Sequence, residues 1–243
     1  MSVVSRQPPE QQPPPVQRLR VRYAKRGRLR FTSHRDFSRA FERAVFRARI
    51  PMAYSSGFNP HPRISYAGAS PTGAASEAEY LELALREVLD PADVHRLLDE
   101  SLPPGLDVLA VVVSTGASLS DLLQASRWHV EADVPRDAVE QAVAVYMAAT
   151  EVPVERMTKK GMRTFDSRGA VRSLVAGDGT RGDSSTALDL VLVHGEPTVR
   201  ADDVLSGVAR LGGLDLTGPV LLTRVEQGPY DEASGTVGDP FAS

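Results

Sequence analysis

The order in which hydrophobic periodicities change along the chain is the feature that most constrains its fold. Residues 18–23 alternate strictly between arginine and an apolar or aromatic residue, as a half-buried strand does, and residues 34–48 carry apolar side chains at helical spacing. The segments that follow are strands at 63–66 and 80–85, a helix at 91–101 and a strand at 106–113. A β-α-β-β-α-β order predicts a ferredoxin-like α+β layer, with two helices on one face of an antiparallel sheet and the other face open.

The same order of elements recurs in the second half. Strands are predicted at 127–133, 152–158, 170–175, 187–193 and 220–226, with helices at 135–149 and 201–211. We therefore predict an α+β fold of two ferredoxin-like α/β sandwich halves in tandem. The predicted divisions are a disordered tail at 1–17, an N-terminal half at 18–115, a C-terminal half at 116–227 and a second disordered tail at 228–243.

Basic residues are concentrated in one stretch of an otherwise acidic chain. Residues 18–49 hold twelve Lys/Arg and two acidic residues, a formal charge of +10, whereas residues from 50 onward carry −13 and the whole chain −3. A basic block on an acidic chain is typical of a protein that binds a polyanion. The alternative interpretation is a solvated face that only aids solubility.

The chain has no cysteine. This excludes disulfides, thiolate nucleophiles, cysteine-ligated zinc and cysteine-ligated iron–sulfur clusters. The N-terminal segment is rich in Pro and Gln and lacks the apolar core of a secretory signal, and no apolar run is long enough to span a bilayer. We expect a cytoplasmic protein with no metal and no cofactor.

Two basic surfaces are predicted from residues 18–48. Residues 18–31 read as a β-hairpin around a turn at 25–27, and five arginines share its polar face, where they repel one another unless an anion lies over them. They are Arg18, Arg20, Arg22, Arg28 and Arg30. Ser33 and Asp36 form a predicted capping box at the start of the helix, in which arginines recur every four residues. These are Arg35, Arg39, Arg43 and Arg47.

A loop at 54–63, rich in Gly, Pro and Asn, connects this helix to the next strand. Its chemically active side chains are Tyr54, Phe58, Asn59, His61 and Arg63. The two aromatic rings suit stacking on an unpaired base, and the polar groups suit reading its edge or a 2′-OH. The alternative is structural, with Phe58 plugging the loop and the prolines serving the turn.

A second basic cluster lies in the acidic half, at Lys159, Lys160 and Arg163. It is either a second anion contact or a solvated turn. The predicted nucleic-acid-binding residues are these three, the five arginines of the hairpin, the five side chains of the loop, and Arg35, Arg39 and Arg43 of the helix.

Several stretches resemble a bacterial family of unknown function whose members are called radical-SAM-linked or radical-SAM-associated proteins. They are 31–36, 42–44, 54–65, 73–80, and Lys159-Lys160-Gly161 with Asp166 and Arg168. The resemblance covers most of residues 18–226 and departs from the family at Arg35, where Leu is common. It implies a free-standing member, and because the chain has no cysteine, any radical SAM chemistry would require a separate partner enzyme. It supplies no catalytic residues.

These observations favour an RNA-binding protein that presents tRNA or rRNA to a modifying enzyme, without catalysis of its own. One alternative is an RNA-acting enzyme, pseudouridine-synthase-like or a metal-independent ribonuclease, with His34 and His61 as general acid and base. Another is a protein-interaction scaffold whose basic loop binds a different anion, such as a phosphorylated metabolite.

Overall fold

The structure is a computed structural model that describes residues 11–158, 161–179, 185–216 and 218–242. Over these ranges the chain is a mixed α+β protein with five α-helices and mostly antiparallel strand pairing. It divides into two compact units. The first contains the described residues up to 69 together with 79–119, and the second contains 70–78 together with the described residues from 120 onward. None of the helices in these ranges is long and apolar enough to cross a membrane.

The first unit follows the predicted β-α-β-β-α-β order. Its elements are β1 (Gln17–Lys25), a 3-10 helix (Gly27–Phe31), α1 (His34–Arg47), β2 (Ile64–Ala67), β3 (Ala75–Leu85, of which the residues up to 78 belong to the second unit), α2 (Pro91–Ser101) and β4 (Val108–Val113). The strands lie in the order β4-β1-β3-β2. β1 runs antiparallel to β4, with Leu19 opposite Val113, and β2 runs antiparallel to β3, with Ile64 opposite Leu83.

The ends of α1 follow from local hydrogen bonding. The Ser33 hydroxyl accepts a hydrogen bond from the Asp36 amide at 3.2 Å and donates one to the Asp36 carboxylate at 2.7 Å, so the predicted capping interaction is present. At the other end the Ile50 amide donates to the Val45 carbonyl at 3.2 Å, and Arg49 adopts a left-handed φ of 53°. This is the Schellman arrangement that ends many helices.

The core of the first unit lies between β1 and α1. Tyr23 and Phe37 stack with ring centroids 4.6 Å apart, and Phe41 is fully buried beside them. Leu19 and Val21 share the buried face of β1. The alternation of β1 therefore places its apolar side chains in the core, as the sequence predicts.

The predicted hairpin at residues 18–31 is wrong. β1 is a strand, but Gly27–Phe31 is a 3-10 helix rather than a second strand. The backbone of β1 continues along the segment before β4 instead, because the Ala24 amide donates to Asp107 O and the Arg26 amide donates to Gly105 O, each at 2.8 Å. Alternation over four residues did not distinguish a strand from a short helical turn.

The second face of this sheet is not open, which corrects another expectation. Arg20, Ala24, Tyr80 and Ala84 lie on that face and are all buried. Polar groups on the face satisfy one another, since Ser114 donates a 2.8 Å hydrogen bond to the carboxylate of Glu82. Alternation identifies two faces but does not decide which of them meets water.

The second unit contains the remaining elements. They are α3 (Leu119–Leu122, which begins at the boundary), β5 (Ala125–Ala132), α4 (Arg136–Ala148), β6 (Pro153–Thr158), β7 (Gly161–Asp166), β8 (Val171–Asp178), β9 (Thr186–Val193), α5 (Ala201–Gly212), β10 (Leu221–Gly228), β11 (Tyr230–Asp231) and β12 (Thr236–Val237). Its sheet has the order β10-β5-β9-β8, and the start of β3 runs parallel to β10 with Ala75 opposite Thr223. Trp128, Tyr146 and Leu190 are buried in its core.

Two parts of the second unit differ from the sequence predictions. β7 was not predicted, and it forms a separate two-stranded sheet with β6. The segment from 228, predicted as a disordered tail, is ordered as far as 242 and contains the β11–β12 hairpin. Gly228 lies so close to the Gly238 carbonyl that an added Cβ would stand 2.0 Å from that oxygen. The amino-acid composition of this segment gives no sign of such packing. Of the predicted N-terminal tail, residues 1–10 lie outside the described part.

Candidate nucleic-acid interface

The exposed side of α1 carries Arg35, Arg39 and Arg43, which we call the α1 arginine face. All three side chains are exposed, and no described acidic residue lies within ion-pair distance of any of them. Four helical residues rise about 6 Å, so the guanidinium groups are neighbours. Like charges at this spacing destabilise a helix by about 0.2–0.5 kcal/mol per pair. This repulsion lowers the stability of α1, and a bound anion would relieve it.

Several arginines elsewhere in the described chain have acidic partners. Arg26 lies 2.7 Å from Asp107, and Arg127 lies 2.8 Å from Glu226. On α2, Arg96 lies within 3.5 Å of two carboxylates, those of Asp93 and Glu100. Other exposed arginines, such as Arg28 and Arg163, also lack a described acidic partner, so the distinctive feature of α1 is that three such arginines share one side of a helix.

The arginines of β1 have a different role from the one predicted. Arg20 is only 1% exposed, its guanidinium donates to the Ala117 carbonyl, and its Nε lies 3.7 Å from Glu82. Arg18 is about half exposed and lies 2.9 Å from the same carboxylate. Arg22 is partly buried and has an interaction partner of its own. Arg20 is thus a structural residue, because a buried charge must be paired.

The 3-10 helix presents Arg28 and Arg30. Arg28 is exposed and Arg30 is partly exposed, and neither has a described acidic partner. The Arg30 guanidinium lies over the ring of Phe31, 4.5 Å from its centroid, and that ring is 58% exposed. These two arginines remain on the surface even though the strand predicted to carry them does not form.

The loop at 54–63 is closed at its base by hydrogen bonds. The Ser55 amide donates to the His61 carbonyl at 2.9 Å, and the His61 amide donates to the Ser55 hydroxyl at 3.0 Å. Tyr54 is 40% exposed and Phe58 is 67% exposed, so neither ring is a core residue of the loop. Asn59 and the His61 side chain are also exposed, whereas Arg63 is partly buried where the loop meets β2.

Within the described residues, no ring contact or side-chain hydrogen bond joins His34 and His61, the two histidines proposed as an acid–base pair. The His34 ring contacts Tyr66 with centroids 5.0 Å apart, near the end of β2, whereas His61 precedes the start of that strand. Burial raises the pKa of Tyr66 to about 12, so its hydroxyl stays protonated at neutral pH. The described residues hold no group of three side chains able to ligate a metal.

The structure describes only one residue of the second basic cluster. Lys159 and Lys160 lie outside the described residues. Arg163 is exposed on β7, directly opposite Arg156 on β6. It therefore occupies a surface position, with no described acidic partner.

Asp166 and Arg168, which belong to the same sequence motif, have structural roles. The Asp166 carboxylate accepts hydrogen bonds from the amides of Val152, Arg168 and Gly169 at 2.8–2.9 Å. Burial acts to raise the pKa of Asp166, but these hydrogen bonds and the Arg168 charge outweigh it and lower that pKa. The Arg168 side chain donates to the carbonyls of Met147 and Val171. The motif residues thus fix the turn after β7.

Phe46 is a candidate residue that the sequence reasoning missed. Its side chain is 81% exposed, and it borders a shallow depression of about 540 Å³ on α1. The depression is lined by Arg39, Glu42, Arg43, Phe46 and Arg47. Phe46 lies one residue after the buried Val45 and so falls outside the apolar stripe of the helix, which is the sequence signal that could have identified it.

The fold and this surface define a mixed α+β protein with an exposed, unpaired arginine face on its first helix. Over residues 18–201 the chain matches the family described as "uncharacterized protein conserved in bacteria (DUF2344)", and it belongs to that family. No curated protein matches the chain. Among solved structures, a chain in "Crystal Structure of a Cbf5-Nop10-Gar1 Complex" is similar with a TM-score of 0.43 and 12% identity, over 88% of this chain and 50% of that one. The chain thus spans half the length of that match.

Proposed function

We propose that the first unit binds RNA through the α1 arginine face. The observation that carries the proposal is that Arg35, Arg39 and Arg43 are exposed, have no described acidic partners and are neighbours on one side of α1. A row of cations along a helix suits the regularly spaced phosphates of a nucleic acid better than a single small anion. Arg28, Arg30 and the loop at 54–63 extend the same proposed interface.

The proposed role is accessory. The protein would present tRNA or rRNA to a modifying enzyme in the cytoplasm, and the resemblance to radical-SAM-linked proteins makes a separate radical SAM enzyme the proposed partner.

We also propose that the two units are tandem copies of one ferredoxin-like plan. The strand order β10-β5-β9-β8 of the second unit supports this, because it corresponds to β4-β1-β3-β2 of the first when strands are matched by their order in the chain. In this scheme the β6–β7 hairpin is an insertion after α4. Ferredoxin-like folds carry many unrelated functions, so the RNA proposal rests on the arginine face and not on the fold.

The test compares two triple variants of the full chain that lose the same charge. The first replaces the α1 arginine face, as R35Q/R39Q/R43Q. The matched control is R86Q/R96Q/R172Q, in which two arginines have acidic neighbours and the third donates to a backbone carbonyl. Binding to bulk tRNA is measured by filter retention across a range of salt concentrations.

We expect the α1 variant to bind tRNA at least tenfold more weakly than the control. The plot of log K against log salt should also lose about 2 from its slope, since each phosphate contact to a single strand contributes about 0.7. Equal affinity and equal slope in the two variants would refute RNA binding through α1.

A further inference from the structure

The depression on α1 combines an exposed aromatic ring with cations and one carboxylate. Phe46 is 81% exposed, a larger fraction than any other exposed large hydrophobic residue in the described chain. Arg39 and Arg43 precede it by seven and three residues, so all three side chains lie on the same side of the helix. Phe46 adds nothing to the buried core, and exposing a phenyl ring to water is unfavourable. The ring is therefore available to a ligand.

We propose that this depression binds an unpaired nucleotide of single-stranded RNA, with its base stacked on Phe46 and the adjoining phosphates on Arg39 and Arg43. The inference rests on the proposed RNA-binding function and adds the class of RNA. A base in a duplex has both faces covered by its neighbours, so it cannot stack on a protein ring, whereas an unpaired base can. The shallow shape of the depression suits a planar group lying across the helix.

Arg47 completes the rim but is already partly engaged. Its guanidinium donates a hydrogen bond to the Ser101 carbonyl. This contact tethers Arg47 toward α2 and leaves Arg39 and Arg43 as the arginines of the depression without described partners. The phosphates are thus assigned to those two residues.

Glu42 gives the depression a base preference. It lies one helical turn before Phe46 and lines the same depression. A carboxylate only accepts hydrogen bonds, and it repels phosphate. Cytosine offers it an exocyclic amino group, whereas the base N–H of uracil lies between two carbonyl oxygens that repel a carboxylate. The depression should therefore prefer cytosine to uracil, two pyrimidines of similar stacking area.

The experiment measures fluorescence anisotropy of labelled oligocytidine, oligouridine and an RNA duplex of equal length with the full-length protein. We expect the wild type to bind oligocytidine more tightly than oligouridine or the duplex. F46A should weaken binding to oligocytidine about tenfold and leave duplex binding unchanged, because stacking is lost. F46W should retain the affinity. V88A is the matched control, since Val88 is a 74% exposed apolar residue of the same unit, and it should have no effect.

The E42A variant tests the base preference separately. Without the carboxylate, the affinity ratio of oligocytidine to oligouridine should fall to about one, because the hydrogen bond that distinguishes the two bases is lost. An F46A protein that binds oligocytidine like the wild type, or a duplex that binds as tightly as the single strand, would overturn the inference. In that case a loss of tRNA binding in R35Q/R39Q/R43Q would still support the proposed function, whereas unchanged binding in both variants would refute the two together.

Discussion

Glu82, on β3, is expected to stabilise the first unit by neutralising the buried guanidinium of Arg20 on β1. Its carboxylate contacts three groups: the exposed Arg18 at 2.9 Å, the Ser114 hydroxyl at 2.8 Å and the buried Arg20 at 3.7 Å. The E82Q variant keeps the shape and one oxygen acceptor but removes the negative charge. Arg20 would then remain 1% exposed, with a backbone carbonyl as its described neutral partner.

The magnitude follows from which contact is lost. Removing one member of a buried ion pair costs about 3–5 kcal/mol, because the remaining charge is left unpaired away from water. The amide oxygen introduced by E82Q would still accept the Ser114 hydrogen bond, so we expect about 3 kcal/mol, the lower end of that range. R18Q removes the exposed partner of the same carboxylate and should cost at most about 1 kcal/mol, as exposed pairs do.

The assay is urea unfolding followed by far-UV circular dichroism, with fluorescence of Trp128 recorded in parallel. Trp128 is the single tryptophan and lies in the core of the second unit, so its signal reports that unit. E82Q should shift the transition seen by circular dichroism strongly and R18Q only slightly. If E82Q costs no more than R18Q, Arg20 does not depend on Glu82 and the structural role assigned to it is refuted.

Two further predictions concern backbone strain and pH. R49G should raise the free energy of unfolding by about 0.5–1 kcal/mol, because Arg49 holds a left-handed φ of 53° that glycine adopts without strain; an R49A protein, which keeps the strain, should show no gain, and an equal gain in both would contradict the explanation. Burial lowers the pKa of His194, whose ring nitrogens contact Leu123 O and the Ser126 hydroxyl. A lowered folded pKa means that stability is fully present above the unfolded value of about 6.5 and is lost as pH falls through the folded value. Wild type should therefore lose up to about 1.4 kcal/mol per pH unit below 6.5 relative to H194Q, and parallel pH profiles of the two proteins in urea unfolding would disprove this.

Local signals in the sequence were sufficient for the helices and most strands. Ser33 and Asp90 both act as N-terminal caps, because a side-chain oxygen next to free amides needs no distant partner. The apolar stripe at Phe37 and Phe41 likewise fixed which side of α1 is buried. The arginine face of α1 could be predicted for the same reason, since helical spacing places its members together.

The sequence predictions failed where the structure of a segment depends on contacts with residues far away in the chain. Residues 28–31 form a helical turn because the end of β1 is already hydrogen-bonded to the segment before β4. The order of the C-terminal hairpin depends on the close approach of Gly228 and Gly238, which composition does not encode. The role of Phe46 depended on an exposure that only the packed helix defines.

The sequence by itself determined the α+β class, the caps of the helices and the charge of the first unit, because each depends on residues a few positions apart. Only the tertiary structure decided which arginines meet solvent. Arg20 and Arg39 are equally basic in the sequence, yet Glu82 and the Ala117 carbonyl bring Arg20 into the interior, while Arg39 is left exposed on α1. The reason is physical: a guanidinium is buried only where distant parts of the chain supply a carboxylate and a hydrogen-bond acceptor, and those distances are set by the fold.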